Sequence, residues 1–148
     1  MRWNVVILVA LMFIGALVPV NATLTDQDTA WSTAIYPNIK MLIDDCAVLS
    51  ASADSKDMSM LQMACNTMKE DIISAEAVNL AMPVSSDMQP AKDDYTSALT
   101  SIWAGLDDIN TGMASYDITK VKLGMSKFSQ GTVYLAKMNR DIHIAQTS

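Results

Sequence analysis

Residues 26–51 read DQDTAWSTAIYPNIKMLIDDCAVLSA, and this stretch decides the fold class. Trp31, Ile35, Ile39, Leu42, Cys46 and Leu49 return every three or four positions, which places all six on one face of an α-helix. Thr25 or Asp26 is placed to cap its start, and Asp28 lies in the first turn, where the helix dipole favours negative charge. Pro37 falls inside the pattern and is expected to kink or divide the helix. The polar run Ser52–Asp57 reads as the turn that follows.

The same rhythm recurs three more times. Residues 57–82 carry Met58, Leu61, Cys65, Met68, Ile72 and Ala75 on one stripe, and Met82-Pro83 stops the helix because a residue before proline avoids the α region. Residues 87–111 bury Tyr95, Leu99, Ile102, Leu106 and Ile109, with Trp103 on the flank. Ser85, Ser86 and Asp87 offer caps, Pro90 suits the first turn, and Gly112 reads as the C′ residue. Residues 116–144 carry Ile118, Val121, Met125, Phe128, Thr132, Leu135 and Ile142, with Asn139 interrupting. Gly124 and Gly131 stand seven apart on one flank, where they allow a neighbouring helix to come close. Each costs an isolated helix about 1 kcal/mol relative to alanine. Four amphipathic helices with short connections predict an all-α, up-down-up-down antiparallel four-helix bundle over residues 23–148. Four prolines and five glycines in 148 residues argue against a strand-and-turn architecture.

Ahead of the helices, residues 1–22 read MRWNVVILVALMFIGALVPVNA. Arg2, the 14 apolar residues Val5–Val18, Pro19 and the small-residue site Val20-Asn21-Ala22 follow the order of a secretory signal peptide. The apolar run is shorter than the ~20 residues a helix needs to cross a bilayer. The expectation is a secreted or cell-envelope protein; membrane attachment follows only if residues 1–22 stay on as an uncleaved anchor.

Cys46 and Cys65 are equidistant from the Ser55-Lys56 turn, so folding the first helix onto the second brings them to one height. In an oxidising compartment the expectation is a Cys46–Cys65 disulfide, contributing about 3 kcal/mol by loop closure. No Cys-x-x-Cys is present to lower a thiol pKa for redox catalysis.

The formal net charge of −6 argues against nucleic acid as a partner. Charge also sorts along the chain, with residues 23–114 acidic and residues 115–148 carrying Lys120, Lys122, Lys127, Lys137 and Arg140 against Asp117 and Asp141. Such complementarity serves the bundle internally, or presents a basic face to an envelope partner.

No catalytic constellation is legible. His143 is the one histidine, and neither a Ser-His-Asp arrangement nor a phosphate-binding glycine loop is present. The doublets Asp44-Asp45, Asp93-Asp94 and Asp107-Asp108 point about 100° apart on a helix, so they read as solvated faces and not as a calcium loop. The Glu-x-x-His of di-iron bundles is missing. His143 resembles the late haem ligand of exported four-helix b-type cytochromes, but the methionine those proteins place early in their first helix has no match here. No cofactor is expected.

The chain is methionine-rich, with twelve in all, and Met58, Met60, Met63 and Met68 gather on the second helix. Met60 and Met63 fall off the core stripe and are the candidate metal ligands. Met-x-Met-x-x-Met resembles the segments of exported copper-handling proteins, and thioethers select Cu(I). The simpler account is an adaptable contact surface. The expected function is therefore a non-enzymatic interaction or structural module at the cell envelope or outside the cell, with soft-metal or small-ligand binding as the alternative. Trp31, Trp103 and the tyrosines line a pocket or fill the seam; the sequence names neither ligand nor partner.

Overall fold

The computed structural model describes residues 24–55 and 57–147; the expected signal segment, residues 1–22, lies outside them. The described residues form four α-helices: α1 (Asp26–Ser55), α2 (Met58–Ala81), α3 (Gln89–Ala114) and α4 (Ile118–Thr147). Each packs against its neighbour in the chain in an up-down-up-down bundle, with α3 and α4 by far the most intimate pair. Trp31, Leu42, Cys65, Met68, Ile72, Tyr95, Leu99, Leu106, Phe128 and Leu135 are among the side chains that fill the core. None of the described helices is long and apolar enough to cross a membrane.

The helix ends differ from the expected ones for identifiable reasons. Thr25 and Asp28 form a reciprocal capping box, in which the Asp28 N–H donates to Thr25 Oγ1 (3.3 Å) and the Thr25 N–H donates to Asp28 Oδ2 (3.2 Å). Asp28 Oδ2 also accepts the Thr25 hydroxyl at 2.6 Å, while Oδ1 accepts the Ser85 N–H at 2.8 Å. This 1 % exposed carboxylate ties the start of α1 to the α2–α3 connection. Ser85 is thus a donor to α1 and not a cap for α3. No side chain caps α3, which opens after Met88 with Pro90 in its first turn.

At the other end α1 runs through the polar segment expected to be a turn, because Ser52 is buried and the Ser55 hydroxyl donates to the Ser52 carbonyl (2.7 Å). Asp57 caps α2 by accepting the Ser59 and Met60 N–H groups. Pro37 does not divide α1. It is exposed, and so is Thr33, whose carbonyl is the one that loses its helical donor, so water can satisfy it.

Gly112 does not end α3; it lies inside the helix. The left-handed position is Tyr116, with φ 56°. The Asp117 N–H donates to the Gly112 carbonyl (2.7 Å) and the Tyr116 N–H to the Met113 carbonyl (3.2 Å), the paired bonds of a Schellman motif. Asp117 then caps α4 through the Lys120 N–H (3.0 Å), leaving Tyr116 and Ile118 exposed, the latter against its expected place in the seam.

Gly112 is needed elsewhere. Ala91, Ala98, Gly105 and Gly112 are spaced seven apart on α3, and Gly124 and Gly131 continue the pattern on α4. A Cβ on Gly105 would meet Gly124 O at 2.6 Å; one on Gly112 would meet the Val121 backbone N at 2.8 Å; one on Gly131 would meet Ala98 O at 3.0 Å and Ile102 more closely still. All four glycines among the described residues serve this one interface.

The expected Cys46–Cys65 disulfide is not present. Both cysteines are buried and free. Equal height along two helices does not by itself aim two side chains at each other: Cys46 and Cys65 lie among Leu42, Leu49, Leu61 and Met68 in the packed core as separate thiols. A bridge needs Cα atoms within roughly 7 Å. The close backbone approach built on glycines belongs to the α3–α4 pair, and neither cysteine is on it.

Candidate functional site

Polar groups in the bundle interior are used for holding helices together. Trp31 Nε1 donates to Asn79 Oδ1 (2.8 Å), Asn79 Nδ2 donates to Thr96 Oγ1 (2.8 Å), and the Thr96 hydroxyl donates to the Lys92 carbonyl (3.0 Å). Lys92 Nζ in turn donates to the Met82 carbonyl. This chain crosses α1, α2 and α3. Tyr95 packs edge-on against Trp31, with centroids 6.3 Å apart, and both aromatics are buried in the seam. Burial raises the Tyr95 hydroxyl pKa. The two thiols behave alike: burial pushes Cys46 and Cys65 up to about 12, so neither is a thiolate near neutrality.

A concave feature that reaches the surface lies between α1 and α2. Asp45, Val48 and Ser52 form one wall; Met60, Met63, Ala64 and Thr67 form the other, enclosing about 190 Å³. Helical spacing explains both walls. Positions 45, 48 and 52 follow one stripe of α1, and 60, 64, 67 and 71 follow one stripe of α2, each flanking its core stripe. Val48, Met60 and Met63 are 56, 52 and 64 % exposed, so the groove is walled by mobile thioethers and an aliphatic side chain open to water. Met58, expected in the core, is exposed as well, because it is the first residue of α2 and projects beyond the packed seam.

Asp45 gives the groove an electrostatic character that its apolar lining lacks. Burial raises its pKa to about 6, reinforced by Asp71 across the α1–α2 contact and by neighbouring Asp44. Asp45 Oδ2 is buried, and a side-chain hydrogen bond with Asp71 further favours the protonated acid. The carboxylate of Asp71 alongside makes ionising Asp45 costly, so Asp45 holds its proton to unusually high pH.

The acidic doublets are tied to neighbouring side chains, which corrects their reading as wholly solvated faces. Asp44 is exposed and pairs with Lys40 (2.9 Å). Asp107 takes Lys69 from α2 (2.7 Å), and Asp108 takes Lys127 from α4 (2.6 Å). Lys69 also lies 4.1 Å from the Trp103 ring centroid. Asp94 is raised by burial and by Asp141, against the lowering effect of Lys137 and Arg140. Helix α4 thus spends part of its basic charge inside the bundle. His143 is exposed, and no cluster of three or more His, Cys, Asp or Glu that would hold a metal occurs among the described residues.

Sequence reasoning singled out Met60 and Met63, and the structure brings both to this groove. It missed Asp45 and Asp71 as a pair. The stripe 60-64-67-71 was legible, but a sequence cannot say which flank of α2 faces α1 and which faces α3.

The fold and groove together define an all-α antiparallel four-helix bundle with a methionine-lined, acid-ended surface cleft. No protein-family model, no curated protein and no solved structure gives a significant match to the chain.

Proposed function

We propose that this chain is a non-enzymatic interaction module, exported to the cell envelope or beyond, that contacts a partner through the α1–α2 groove. The observation that carries the reading is the half-exposed set Val48, Met60 and Met63 around one concavity. Flexible thioethers adapt to an apolar partner surface at little cost. The internal polar chain and the α3–α4 glycine interface supply a rigid frame behind it. Export rests on the order of residues 1–22 alone, and sequencing the mature N-terminus tests it.

The contact is tested by photo-cross-linking in the native host, with p-benzoylphenylalanine replacing Met63 or, as a control, exposed Gln130 on α4. Discrete adducts from position 63 and none from 130 are expected. Equal or absent labelling at both positions removes the reading.

A second reading draws on the same two residues. Met60 and Met63 share a helix and one groove wall, which gives a Cu(I) ion two thioether donors. Titration against a competing Cu(I) chelator tests it: saturable binding lost in Met60→Ala/Met63→Ala supports it, and unchanged binding ends it.

A further inference from the structure

We propose that the α1–α2 groove is a socket for one lysine or arginine side chain on an amphipathic segment of a partner protein, its aliphatic stem along Val48, Met60 and Met63 and its charged head at Asp45 and Asp71. This rests on the reading of the chain as an interaction module and names the chemistry of what it binds.

Size points to a side chain. About 190 Å³ is below the roughly 300–1,000 Å³ of small-molecule pockets. It equals about six waters at ~30 Å³ each, room for one long side chain. The lining matches lysine and arginine, which carry an apolar stem and a polar tip. The order is right too: the thioethers and Val48 are open to solvent, while a carboxylate oxygen of Asp45 is buried.

Charge points the same way. Among the described residues no cation pairs with Asp45 or Asp71: on α1 Lys40 is held by Asp44, and on α2 Lys69 is held by Asp107. The charged groups bearing on Asp45 are Asp44 from its own helix and Asp71 from α2, both acidic. Without a partner the cleft relieves this repulsion by keeping a proton. An arriving ammonium or guanidinium takes that proton's place, so binding releases it to solvent and tightens as pH rises past the Asp45 titration near 6.

The test uses the intact protein and two short fluorescein-labelled helical peptides of leucine and alanine, one bearing lysines and the other glutamines at the same positions. Anisotropy should show saturable binding of the lysine peptide, weaker by about tenfold or more for the glutamine peptide. The Asp45→Asn/Asp71→Asn variant, its fold checked by circular dichroism, should lose that preference. Affinity for the lysine peptide should rise between about pH 5 and 7.5, with calorimetry in buffers of different ionisation enthalpy recording proton release. Equal binding of both peptides, or a preference that survives the double variant, overturns the socket while leaving an apolar contact surface. Absence of binding by either peptide also overturns it, and adducts from position 63 then still uphold the interaction module. If those adducts are missing as well, both readings fall.

Discussion

Gly105 and Gly124 face each other backbone to backbone: a Cβ on Gly105 would lie 2.6 Å from the Gly124 carbonyl oxygen, and one on Gly124 would lie 2.5 Å from the Gly105 carbonyl oxygen. Neither obstacle is the end of a flexible side chain. In an isolated helix Gly→Ala gains about 1 kcal/mol; here overpacking of rigid backbone reverses the sign. Gly105→Ala or Gly124→Ala should each destabilise the bundle by about 2 kcal/mol or more, read as a lower urea midpoint at unchanged m-value. Gly131→Ala should destabilise as well, because its Cβ would meet the buried Ile102 side chain and the Ala98 carbonyl oxygen. A stabilising Gly105→Ala would show that the helices are not in contact there.

Tyr116 pays for the α3–α4 turn with an unfavourable backbone. Its φ of 56° is left-handed, and its side chain is 92 % exposed, so glycine loses no packing. Tyr116→Gly should stabilise by roughly 1 kcal/mol, the left-handed penalty less the extra entropy glycine brings to the unfolded chain. Thermal unfolding checks this; a drop in Tm would mean that the Tyr116 side chain has a contact worth keeping.

Two carboxylates should set the pH profile in opposite directions. Burial raises Asp45 to about 6 with help from Asp71 and Asp44, so its share of stability is full below the unfolded pKa near 3.8 and is lost as pH rises through 6. Asp45→Asn should remove that decline and raise Tm at neutral pH. A variant profile that still falls between about pH 4 and 7 would assign the decline to another group.

Asp28 behaves the other way. Burial opposes its ionisation, but hydrogen bonds from Thr25 and Ser85 outweigh burial and lower its pKa. Its contribution is present above the unfolded value of 3.8 and is lost as pH falls through the lower folded value. Asp28→Ala strips the Ser85 N–H and the Thr25 hydroxyl of their acceptor and should cost about 2 kcal/mol at pH 7. Hydrogen exchange at the Ser85 amide should accelerate with it; protection equal to the parent protein would show a replacement acceptor.

Cys46 and Cys65, buried and held as thiols, should resist maleimide in the native protein and both react once it is unfolded without reductant. One reagent per thiol is expected by mass. A product two hydrogens lighter than the reduced chain, with no label, would establish the bridge instead.

The sequence by itself determined the helix count, the core stripes apart from Met58 and Ile118 at helix starts, and the break at Met82-Pro83, because those follow from 3.6-residue periodicity and from local backbone sterics. It also marked Met60 and Met63 as lying off the core. Only the tertiary structure decided which helix lies on which flank, and so which off-stripe residues meet: Asp45 with Asp71, Asp28 with Ser85, Gly105 with Gly124. Gly112 shows the difference most clearly, since its local chemistry suits a helix end while the approach of α4 requires it inside one. Cys46 and Cys65 show it too: matched heights were legible, but whether two side chains meet depends on how the helices pack. Periodicity fixes a direction from each helix axis, whereas separation and partner are properties of the assembled bundle.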